Sequence, residues 1–332
     1  MLRYPAISLA ILLLTACGAK VPVFPPQGTI ALPAAAHGLD DMAYSGELQR
    51  FIIPGGQSGD IYLIDPGSGK ITATVRVTAG GKGKGVTTAA YGLGFLFAGD
   101  RTHRALVVIN ADSHQVVGRR KLASTPDIVR FAASQKEVWV TEPGAGQIEI
   151  FRVHPSARPI LAKRATIAVP GGPESLAIDD QRDMAYTNLT TDKTVAIDML
   201  QERILERWPN TCQQARGLAL ATARGLLFVG CHGGKVVSLD AAHRGTLIAS
   251  AKVGQGIDLI AYDAADNRLY VPAAGNGMLT LLGIAPSGRM QVLAKYRTAP
   301  GARCVVSDGS GRAYVCDPAR GRLLVIRHRA GG

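Results

Sequence analysis

Asp41, Asp127, Glu174, Arg216, Asp258 and Arg303 share one address in this chain. Each stands just ahead of an apolar, strand-like run, as Glu174 does in "GGPESLAID". Gly85 holds the address in one further copy, and successive spacings run from 42 to 47 residues. Carboxylates gathered from distant segments have three uses. They pair with arginine through charge-assisted hydrogen bonds, they ligate a hard divalent cation such as Ca²⁺ or Mg²⁺, or they repel and shift one another's pKa. Asp258 falls between Arg216 and Arg303, and Asp41 neighbours Arg303 if the series closes on itself, so those four can neutralise one another. Asp127 and Glu174 follow in order with no basic residue between them, which makes them the candidate metal ligands. The structural alternative is that water, backbone amides or an arginine from another layer satisfies that pair. No catalytic residue is singled out. GxSxG is absent, "GGKGKG" at 80–85 lacks the GxxxxGK[ST] of a phosphate loop, and His37 and His232 fall outside the shared address.

The elements that position these residues come from an internal repeat. "GPESLAIDDQRDMAYTNL", "ARGLALATARGLLFVGC" and "GIDLIAYDAADNRLYVPA" share an apolar run, a turn rich in Asp, Gly or Arg, and a second run. A third run follows in each unit ("DIYLID", "KTVAID", "GKVVSLD", "GRLLVIR"), and a fourth closes most of them ("KITATVRV", "TLIASAKV"). Short strands at about ten-residue spacing mark repeated antiparallel sheets. Seven four-stranded units of this period describe an all-β, seven-bladed β-propeller. In that architecture the residue entering each first strand stands at the mouth of the central channel. The seventh unit lacks its outermost strand, and "GTIALPA" at 28–34 is unassigned, so an N-terminal strand is expected to close the last blade and hide the open edge.

The pattern "GPESLAID…MAYTN…TVAID", with "GLLFVGCHGGKVVSLD" and "GIDLIAYDAADNRLYV", resembles the YVTN-repeat, YncE-like seven-bladed propellers of bacteria over roughly residues 28–328. The resemblance implies a fold and an exported protein, but no catalytic signature. Propeller lactonases of the gluconolactonase type bind a divalent metal through Glu, Asn and Asp at the axis; here no Asn holds the shared address. Streptogramin-lyase-type propellers depend on channel His and Glu, and no His holds that address either.

Residues 1–16 read as a signal peptide: Arg3 precedes the apolar "AISLAILLLTA", too short to span a bilayer. "LTAC" matches the bacterial lipobox, which implies lipidation of Cys17 and a membrane partner. Residues 17–27 then form the lipidated cysteine and a Pro-rich tether, with the propeller at 28–332. Gly18 after the cysteine favours, by analogy, the outer membrane facing the periplasm. Four cysteines remain for an oxidising compartment. Two local disulfides, Cys212–Cys231 and Cys304–Cys316, are expected, with buried thiols as the alternative; the absence of CxxC argues against zinc. The net charge of +12 is spread along the chain. Three functions stay open. One is non-catalytic binding of a protein or small-molecule ligand at the mouth. Another is a divalent-metal-assisted hydrolase or lactonase. The third, on charge alone, is binding of anionic polymers such as nucleic acid.

Overall fold

The computed structural model describes residues 21–33, 36–80 and 83–328, so the stretch read as a signal peptide and Cys17 lie outside the described residues. Seven sheets form seven blades, each built outward from its inner strand in chain order save where an N-terminal strand joins the outer edge of blades 6 and 7. The inner strands of blades 1 to 4 are Ala43–Ser45, Val86–Gly92, Val129–Ala132 and Ala177–Asp179. Those of blades 5 to 7 are Ala215–Ala221, Ala261–Asp263 and Val305–Ser307.

Burial follows the sequence pattern of each strand. Middle strands are covered by neighbouring blades on both faces, so Asp60–Ile64 and Leu226–Cys231 are buried at every position. Outer strands alternate, as Ile71–Arg76 does, because one face meets solvent. Aromatic rings bridge the blades. Phe97 stacks on Phe131 between blades 2 and 3 with centroids 5.8 Å apart. Phe51 of blade 1 meets Tyr314 of blade 7 at 4.2 Å, which joins the two ends of the ring.

The closing strand is Gly28–Ala31, antiparallel to the third strand of blade 7, Arg322–Arg327. Ile30 packs on the core and Leu32 is buried beyond it. A second N-terminal strand joins the architecture within the stretch read as tether. Val23–Phe24 pairs in parallel with the outer strand of blade 6, Met290–Arg297, and makes that blade five-stranded. Lys295 donates its backbone N–H to Pro22 O at 2.9 Å, and Phe24 lies 5.7 Å from the Tyr296 ring.

Both disulfides form. Cys212 precedes blade 5 and bonds Cys231 at the end of its second strand, with Cα atoms 5.1 Å apart. Cys304 precedes the inner strand of blade 7 and bonds Cys316 in its second strand, at 5.4 Å. Each closes a short loop, so Cys304→Ala with Cys316→Ala is expected to cost about 3 kcal/mol. Urea titration of oxidised wild type against this variant checks the value.

Candidate functional site: a charged channel mouth

Where the inner strands begin, side chains from all seven blades converge on a cavity of about 200 Å³ lined by Asp40, Arg101, Asp127, Glu174, Arg216, Asp258 and Arg303. Five of these are the residues expected from the repeat. The first blade differs: Asp40, not Asp41, faces the mouth. Side chains in an extended segment alternate, so a one-residue slip in register moves a side chain to a different layer.

Arg101 answers the problem posed by Asp127 and Glu174. The repeat puts Gly85 at the ring position of blade 2, with φ +67°, packed so closely on the Gly56 backbone that a Cβ would collide with its carbonyl. No side chain fits there. Arg101, at the end of the same blade's second strand, donates its backbone N–H to Gly85 O at 2.9 Å and sends its guanidinium into the mouth. That group donates to the Asp127 carboxylate, to Pro126 O at 3.0 Å, and lies 3.5 Å from Asp40. Glu174 is paired separately, accepting from Arg216 of blade 5.

Asn188 positions that second pair. It closes the "YTN" run, is fully buried, and donates to Arg216 O at 3.0 Å and Gly217 O at 3.2 Å. Its own carbonyl accepts the Glu174 backbone N–H at 2.9 Å. The one sequence signal for this role was the motif itself. On the far side of the mouth Arg303 bridges Asp258 at 3.4 Å and Asp40 at 3.9 Å. The mouth thus holds four carboxylates against three guanidiniums, and Asp258, about one third exposed, is the most open of the four acids.

This crowding shows in the acids. Burial pushes Asp127 up from its ordinary value to about 7; Arg101 opposes the shift, while Asp40, Glu174 and Asp258 add to it. Burial and the Asp258 charge raise Asp40 to about 6, opposed by Arg101 and Arg303. A carboxyl whose pKa is higher folded than unfolded binds more protons in the native state between those values. Its stabilising contribution is full below about pH 4 and is lost as pH rises through about 6 to 7. These two groups should therefore make the propeller more stable at pH 5 than at pH 8, and Asp127→Asn should narrow that difference. Thermal melts of both proteins at the two pH values check it.

Asp41 belongs to the next layer down. It is buried and accepts two hydrogen bonds from Arg130, at 2.6 and 2.9 Å, and one from Thr88 at 2.7 Å. One contact set thus ties blades 1, 2 and 3. The pair lines a second cavity of about 440 Å³ that runs along the channel past Ala90 and Leu218 to Tyr44, Phe131 and Tyr262. His232 lines a separate shallow pocket with Gln213 and Gln255, and His37 is held by a backbone bridge to Gly56.

The donor set bears on metal binding. Asp127 and Glu174 already face guanidiniums, so a divalent cation bound to both would have to displace Arg101 and Arg216. Among the described residues no group of three or more His, Cys, Asp or Glu side chains is placed to hold a metal ion.

Fold and mouth together define a seven-bladed β-propeller with an ion-paired channel entrance. A chain in the crystal structure of a mitotic checkpoint complex superposes with a TM-score of 0.77 at 11% identity, covering 98% of this chain and 97% of that one. A chain of the hydrazine synthase of Kuenenia stuttgartiensis superposes with a TM-score of 0.75 at 15% identity, covering 92% and 99%. At such identities the likeness is one of fold alone. No protein-family model and no curated protein sequence matches the chain.

Proposed function

We propose that this chain is an exported lipoprotein of the YVTN-repeat, YncE-like group, anchored through Cys17, whose propeller is a non-catalytic binding module working through its mouth. The observation that supports the binding role is the mouth itself. Acids and arginines from all seven blades meet in one half-open cavity, each acid facing an arginine, with no Ser, Thr or Cys among the described residues that line it. Such an entrance suits a ligand or protein loop that carries its own charged groups and exchanges partners with the network. The outer membrane, facing the periplasm, is the site this reading assigns.

Photo-crosslinkers placed at Gln213 and Gln255, beside the mouth, test the role in intact cells. The expected result is a discrete adduct that disappears with Arg216→Glu, while crosslinkers at Ser113 on the opposite face give none. A calcium- or magnesium-dependent rise in Tm that vanishes in Glu174→Ala would instead favour a metal at Asp127 and Glu174. Turnover of a lactone panel, abolished by the same change, would contradict the non-catalytic reading. Salt-sensitive DNA binding lost with Arg101→Glu and Arg216→Glu would identify an anionic polymer as the ligand.

A further inference from the structure

Apart from the N-terminal segment, every large apolar side chain left exposed among the described residues lies at one edge of the disc. Inner strands begin at the mouth, so the turns joining third to fourth strands fall on the opposite face. Ile160 opens the outer strand of blade 3, Leu200 occupies that turn in blade 4 with Leu205 just beyond, and Leu247 is the second residue of the outer strand of blade 5. An exposed arginine accompanies each: Arg158, Arg203 and Arg244, with Arg289 in the matching turn of blade 6. Glu202, Glu206, Asp198 and Asp240 share this rim: the two glutamates are paired, with Arg164 at 2.8 Å and Arg244 at 2.7 Å, while Asp198 and Asp240 open the turns and accept from the turn backbone at Gln201 and at Ala242 and His243. The equivalent turns of blades 1 and 2, "DPGSGK" and "NADSHQ", expose no large apolar residue. The apolar rim is therefore one-sided.

The N-terminal segment arrives from this side. Val23–Phe24 runs parallel to the outer strand of blade 6 with Val23 opposite Lys295, so the chain before Val23 leads toward Met290 and the Arg289 turn. Lys295 is five residues from Met290, about 17 Å along a strand. The six residues from Cys17 to Val23 can reach about 20 Å. A lipid on Cys17 is within reach of the rim.

We propose that the rim of blades 3 to 6, on the face away from the mouth, lies against a bilayer containing anionic lipid. Single apolar side chains enter the interface, the flanking arginines meet headgroups, and the mouth is held facing away from the membrane. The isolated spacing of the apolar residues, one or two in each of blades 3 to 5 and each near an arginine, suits a headgroup layer better than it suits a continuous protein interface. The orientation of the anchored protein rests on the Cys17 reading above; the affinity of the rim does not.

The test has two arms. In the first, residues 17–332 carrying Cys17→Ser, free of the apolar stretch 1–16, are sedimented with phosphatidylglycerol-containing vesicles and with phosphatidylcholine vesicles. Binding to the anionic vesicles is expected, weakened about tenfold by combining Ile160→Ser, Leu200→Ser and Leu247→Ser. These side chains are exposed, so an unchanged thermal melt shows the fold intact. Equal binding by the two chains, binding by neither, or a change in oligomeric state in the triple variant (a self-interface) would overturn the proposal. In the second arm, the lipidated chain in vesicles carries Leu200→Trp or Gln255→Trp; native Trp139 and Trp208 are buried and give a constant background. Spin-labelled lipids should quench the Leu200 reporter and spare the Gln255 reporter, and the reverse pattern would overturn the orientation. The intact mass of purified wild type reads acylation separately, so an unlipidated Cys17 is recognised as failure of the anchor alone.

Discussion

Asp41→Ala is expected to destabilise the propeller by about 3–5 kcal/mol, although Asp41 does not line the mouth. Its carboxylate is nearly inaccessible and holds both terminal nitrogens of Arg130 together with the Thr88 hydroxyl. Truncation removes the anion but leaves the guanidinium in the channel wall among Ala90, Leu218 and Phe131. An uncompensated charge is the costly outcome, not the loss of the pair as such. The double variant Asp41→Ala with Arg130→Met should therefore recover most of the loss, since apolar replacement of a buried pair is often nearly neutral. Urea titration of the single and double variants measures both, and equal destabilisation by the two would show that Arg130 carries no stranded charge.

Removal of residues 21–33 should have an effect of similar or greater size. It deletes the fourth strand of blade 7, uncovers the Arg322–Arg327 edge, and takes away Ile30 and Leu32 from the core. Burial of two such side chains contributes about 1.5–3 kcal/mol each, and the lost strand pairing adds to that. A loss on the order of 5 kcal/mol corresponds to a fall in Tm of about 10 °C for a chain of this size. Adding a synthetic peptide of the same residues should restore part of the melting temperature. A full-length Tm in the truncated chain would mean that blade 7 closes the ring without this strand.

The blades were legible because their signals are local and repeated. Runs such as "DIYLID" and "KVVSLD", bounded by Gly- and Asp-rich turns, state a strand and its ends together, and seven copies reinforce one another. The closing strand was legible from a deficit, since "GRLLVIR" has no fourth strand after it and "GTIALPA" has no unit before it. The site was only partly legible. Alignment on one address recovered five mouth residues, but two adjacent aspartates in "HGLDD" gave it no means to choose between Asp40 and Asp41. It also missed Arg101, which reaches the mouth from the end of a second strand because Gly85 leaves a gap there. Val23–Phe24 was unreadable as a strand: it is two residues long, flanked by proline, and its pairing depends on a blade some 270 residues away.

The central claim is that residues entering the inner strands of successive blades meet as a functional ring, and Glu174 with Arg216 tests it most directly. A double-mutant cycle with Glu174→Gln and Arg216→Gln, read by urea unfolding, should give a coupling of about 1 kcal/mol for this partly buried pair. Effects that add within about 0.3 kcal/mol would mean the two side chains do not meet, and the mouth described here would not exist in solution.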